Sequence, residues 1–110
     1  MPPTGVPGWE EAAVSWLLDQ CPADYRAYRA WRRHPVALAW ITVRHLRAEL
    51  DAMRGAWRDV RADLGPLLPP GSLGDVLGSL TQEGLRLRAA VRSAELLLEA
   101  MRVRAPVSAR

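Results

Sequence analysis

Three pairs of chemistry-bearing side chains sit four residues apart: His45 with Glu49, Asp59 with Asp63, and Glu95 with Glu99. On a helix this spacing puts both members of a pair on one side. Imidazoles and carboxylates so placed are what a helical bundle uses to hold metal ions, but such bundles need Glu-x-x-His pairs converging from facing helices. The chain has no Glu-x-x-His. Glu49 and Glu95 fall on opposite flanks of the two long helices read below, so they do not converge. His34 and His45 are the only histidines and Cys21 is the only cysteine. No zinc-ligand spacing exists, and no metal or cofactor is expected.

Covalent catalysis is no better served. There is no Gly-x-Ser-x-Gly and no phosphate-cradling glycine loop, and the chain contains no lysine at all. Cys21, next to Pro22, reads as a small apolar residue at a helix junction. A non-enzymatic protein is expected.

Arginine and the aromatics are the remaining candidates. The stretch YRAYRAWRR, residues 25–33, interleaves Tyr25, Tyr28 and Trp31 with Arg26, Arg29, Arg32 and Arg33. On a helix, residues three apart share a side. The rings form one ridge and the guanidiniums the next, which suits a helix laid on a core with its arginines outside. A nucleic-acid platform needs rings and cations pointing the same way. Farther on, Arg44, Arg47, Arg54, Arg58 and Arg61 make a row interrupted by Asp51, with Glu49, Asp59 and Asp63 on the other flank. This row is a solvated face, a charge-specified interface, or an anion-binding strip whose affinity would follow the phosphates neutralised. No helix-turn-helix, zinc-finger or RNA-binding signature accompanies it.

The bulk numbers bound these readings. At 110 residues and 49% hydrophobic composition, the chain is one small globular domain. All 15 basic residues are arginine, so a net charge of +3 lifts the pI to about 10.0 and argues only weakly for nucleic acid. Asn and Phe are absent as well, and Ile41 is the only isoleucine. That bias points to a high-GC, bacterial genome. No stretch approaches the ~18 apolar residues of a membrane span. The start, MPPTGVPGWEE, shows no basic region followed by an apolar one, so no signal peptide is expected. With one cysteine, the cytoplasm is the expected compartment.

The elements that position these residues are helices. Residues 1–8 read as a flexible lead-in and 105–110 as a frayed tail. Between them helices are expected at about 9–20, 23–33, 35–64 and 72–103, with Pro22 and Pro35 at the junctions. In the third, Val36, Ala39, Val43, Leu46, Leu50, Met53, Trp57, Val60, Leu64 and Leu67 alternate by three and four, a heptad seam. LGPLLPPGS breaks it, and Ser72 reads as the cap that starts the fourth. There Leu73, Leu77, Leu80, Gly84, Leu87, Val91, Ala94, Leu98 and Met101 repeat the pattern. A kink is expected around 79–84, with Thr81 as a second cap and Trp57 as a knob near the hole at Gly84. The fold expected is all-α: a long antiparallel helical hairpin buttressed by two short N-terminal helices, like a four-helix bundle.

Apolar surface is left over. Ile41, Ala48, Gly55 and Ala62 recur every seven residues opposite the third helix's seam, and Leu85, Leu96 and Leu97 lie outside the fourth helix's seam. Together they are the candidate self-association surface, since monomers rarely expose large apolar patches. The functional expectation is a small protein-interaction module, a homodimer or a regulatory adaptor. The alternative is an architectural, sequence-tolerant nucleic-acid binder using Arg29, Arg32, Arg33, Arg44, Arg47, Arg54, Arg58 and Arg61.

Overall fold

A computed structural model describes residues 7–104; the readings for residues 1–6 and 105–110 lie outside the described residues. Helix α1 spans Trp9–Gln20, α2 Arg29–Arg33, α3 Pro35–Leu64 and α4 Pro70–Arg104, with a 3-10 turn at Ala23–Ala27 before α2. Among the described residues there is no strand. The two long helices form the expected antiparallel hairpin in a body 59 × 27 × 23 Å, with the short helices packed at one end. None of these helices is long and apolar enough to cross a membrane.

Local signals explain the boundaries. Gly8 precedes α1 with φ of 81°, a left-handed value that glycine adopts without penalty, and its carbonyl accepts from the Ala12 N–H. Pro35 opens α3 after a non-helical His34, with φ −123° and ψ 82°. Beyond Leu64, Pro66 and Pro69 lack the N–H groups that a continuing helix requires.

Four local expectations are corrected. The segment 23–33 is not one helix: it breaks at Tyr28, where φ is −97° and ψ 119°. In a continuous helix Tyr25 and Trp31 would stand about 9 Å apart along the axis. The break instead stacks their rings at 5.1 Å with 14° between planes. α4 starts at Pro70 rather than Ser72, because the Pro69 carbonyl already accepts from the Leu73 N–H. α4 is helical throughout residues 79–84. The Thr81 hydroxyl donates to the Leu77 carbonyl one turn back (3.0 Å) instead of capping a new helix. Leu67 leaves the seam and is exposed in the turn.

The core is concentrated at one end, here called the base. Trp9, Ala13 and Leu17 recur every four residues along α1 and are buried against α3 and α4. There they meet Leu38, Ala39, Val43 and Leu46 of α3 with Leu87, Ala94, Leu97 and Met101 of α4. Alanines at 13, 39 and 94 let the helix backbones approach closely. Thr42 is fully buried, and its hydroxyl donates to the Leu38 carbonyl at 2.7 Å. Arg104 locks the end of α4 to the start of α1: it pairs with Glu10 at 3.1 Å and lies 5.7 Å over the Trp9 ring. The other end, the tip, is two bare helices in which only Val60 is buried.

Candidate functional site: an open trough along the hairpin

The heptad register defines two sides of the hairpin. In an antiparallel pair, like flanks meet like. Leu38 and Thr42 of α3 share a side with Ala90 and Leu97 of α4, and α1 covers that side at the base. The opposite side has no covering helix. On it α3 presents Trp40, Arg44, Arg47, Arg54, Arg58 and Arg61, all exposed, and α4 presents Arg88 and Arg102. The acids among them are Asp51, 3.8 Å from Arg54, Glu95, which pairs with Arg47 across the two helices, and Glu99, exposed on the flank of α4 that carries Leu85. Glu95 therefore finds its cation on α3 rather than at Arg92 or Arg102 of its own helix. The tip end of the covered side is acidic instead, with Glu49, Asp59, Asp63 and Glu83. His45 Nε2 lies 3.0 Å from a Glu49 carboxylate oxygen, and Glu83 accepts from Arg86 at 2.5 Å. The Arg86 hydrogen bond holds the Glu83 carboxyl below the usual carboxylate range.

At the tip, the open side contains a groove of about 310 Å³. Its floor is Met53, Leu80 and Gly84, with Trp57 and Leu85 on the walls and Arg54 and Arg88 at the rim. Trp57 does not act as the knob over Gly84. A methyl group added at Gly84 would stand 3.9 Å from Cγ of Met53, so Met53 faces that hole. The Trp57 ring lies outside, its Nε1–H donating to the Thr81 hydroxyl at 3.2 Å. It is left 49% exposed, and Leu85 59% exposed. At the base, a second depression lies between Val36 and Trp40 of α3 and Leu98 and Arg102 of α4. Arg44 covers the Trp40 ring there at 5.2 Å. The two tryptophans are 17 residues apart on one helix, about 25 Å along its axis.

The residues expected to form a self-association surface do not come together. Leu97 is at 0% exposure, a core residue against α1, and is corrected as a surface candidate. Ile41 is half-buried against the core and shares a dimple with Pro22 and Tyr25. Ala48, Gly55 and Ala62 continue along the back of α3, away from α4. Leu85 and Leu96 are exposed on α4, on the far side of the hairpin from that stripe.

The candidate cationic residues separate likewise. Arg44, Arg47, Arg54, Arg58 and Arg61 line one side of α3. Arg32 shares a depression with Glu10 and Glu11, and Arg33 shares one with Glu10 and Arg104, so both belong to the base. Arg29 is exposed on α2. In YRAYRAWRR the rings divide: Tyr25 and Trp31 pack against the core, whereas Tyr28 is exposed. Arg26 has a structural task. Its Nε donates to the Leu18 carbonyl at 2.7 Å and its Nη2 to the Asp19 carbonyl at 3.1 Å. A cation thus satisfies the negative end of α1.

Residues missed from the sequence are Trp40, Arg88 and Arg102. The register contained the signal, because positions on the same flank of two antiparallel heptad helices must meet. Cys21 is buried, and burial pushes its thiol above the ordinary range, opposed in part by Arg26. Among the described residues no three His, Cys, Asp or Glu side chains gather as a metal site. The chain matches no protein-family profile, no curated protein and no solved structure.

Proposed function

We propose that the protein is a non-catalytic interaction module whose base is the folded scaffold and whose open trough receives a helix of a partner protein. The observation that carries this reading is the pair of large apolar side chains, Trp57 and Leu85, standing half-exposed on a formed groove. Buried helix faces are the usual way such surface is used, and a trough between two helices is shaped for a third. Adaptor function is favoured over homodimer formation. The small-residue stripe on α3 and the leucines of α4 face different ways, and two copies meeting through the trough would bring arginine against arginine. Sequence-tolerant nucleic-acid binding through the arginine row is the second reading. It draws on the alignment of five α3 arginines with Arg88 and Arg102.

Light scattering after size exclusion, at low and high salt, tests the choice. A monomer of 12.2 kDa at both salts is expected. A dimer that persists at high salt would replace the adaptor with apolar self-association.

A further inference from the structure

We infer that the partner segment is an acidic amphipathic helix of about five turns, lying along the trough from Trp40 to Trp57 with its apolar ridge inward. This rests on the interaction reading above and adds the partner's chemistry.

Three observations converge. The apolar ground is two separate depressions on the open side, at Trp40 with Leu98 and at Met53 with Trp57 and Leu85, with the Arg47–Glu95 pair crossing between them. Their separation of about 25 Å is the rise of roughly 17 helical residues. The rims are cationic, and Arg47 and Arg54 are the two whose neighbouring acids, Glu95 and Asp51, share them. Arg44, Arg61 and Arg88 have no carboxylate within 4 Å among the described ion pairs, which leaves them for acids from outside; Arg58 instead leans over Gly55 on the back of α3. Finally, the chain already shows this mode of packing once. α1 carries Glu10, Glu11 and Asp19 and no arginine, and its Trp9, Ala13 and Leu17 ridge fills the hairpin's other side. Glu10 there meets Arg104 of α4.

The same facts argue against the other occupants. A second copy offers no free acidic helix, because α1 has its apolar ridge buried at home. A nucleic-acid duplex uses the phosphate-binding rim and has no apolar ridge for the floor of Met53 and Leu80.

The test uses the full chain and a synthetic helical peptide of about 20 residues, with leucines on a heptad seam and glutamates on both flanks. A second peptide has glutamine in place of each glutamate, and a short DNA duplex is the third ligand. Binding is read by fluorescence anisotropy of each labelled ligand. The acidic peptide is expected to bind at least tenfold tighter than the neutral one. The double variant R54E/R88E should lose that advantage, and L85Q should weaken both peptides. All substituted positions are exposed, so circular dichroism should be unchanged. Equal binding of the two peptides overturns the acidic partner while the docking trough stands. No binding by either overturns both. DNA binding that is tighter than the acidic peptide's and falls steeply with salt replaces the peptide with nucleic acid.

Discussion

From Leu38 to Leu50 on α3 and from Leu87 to Met101 on α4, every seam residue except Leu98 is closed to water; beyond Met53 and Gly84 only Val60 is. The same two helices run through both regions, with the same heptad spacing. The base differs because α1 supplies a third layer, and because Leu38, Thr42, Ala90 and Leu97 widen the apolar stripe to receive it. At the tip the corresponding side carries Glu49, Asp59, Asp63 and Glu83, and no helix lies there. Glycine deepens the contrast. Gly71, Gly74, Gly78 and Gly84 all fall in the tip half of α4, and Leu85–Arg104 contains none. Each glycine within a helix costs roughly 0.5–1 kcal/mol against alanine. A seam thus closes fully only where a third element excludes water from its flank, and the tip keeps its flank open.

The largest expected effect breaks the base. Leu97→Ala should cost about 2–5 kcal/mol, as for a fully enclosed leucine whose site cannot collapse. Leu80→Ala, at a half-open seam position of the tip, should cost clearly less. Urea denaturation measures both, and equal costs would erase the distinction. Next in size, the double variant G74A/G78A should raise stability by about 1–2 kcal/mol. An added methyl at either position meets nothing within 4 Å. The gain should appear as slower hydrogen exchange confined to the tip. Leu85→Gln should change stability by less than about 0.5 kcal/mol, separating the groove's use from its upkeep. Smallest is Glu83→Gln, which removes an exposed ion pair with Arg86 worth a few tenths of a kcal/mol. Because the native carboxyl is the stronger acid, that contribution is present at neutral pH. It fades as pH falls through the lowered pKa, so an acid titration of the two forms should converge.

The hairpin was legible because its code is redundant: nine positions per helix state the seam, and Pro35, Pro66 and Pro69 punctuate it. The side that α1 covers was harder to read. Leu85 and Leu97 are chemically identical, and only the shared flank of Ala90 with Leu97, matched to Leu38 and Thr42, tells the buried one from the exposed one. The break at Tyr28 allows the ring stacking between Tyr25 and Trp31, a contact that helical spacing does not contain. The arginine row of α3 was visible in the sequence. Its continuation into Arg88 and Arg102 required the antiparallel register to be carried through to the flanks. Met53 rather than Trp57 faces Gly84 because the indole N–H reaches the Thr81 hydroxyl, a preference that apolar patterning does not encode.

The central claim is that a partner helix fills the open side of the hairpin from Trp40 to the groove at Trp57. Hydrogen exchange followed by mass spectrometry, with and without the acidic helical peptide, tests this most directly. In the free chain, residues 53–84 should exchange well before Leu38–Leu50 and Leu87–Met101, as sub-global opening would produce. Adding the peptide should slow the groove segments 50–57 and 80–88 and leave α1 unchanged. A tip as protected as the base in the free chain, or one indifferent to the peptide, would contradict the account.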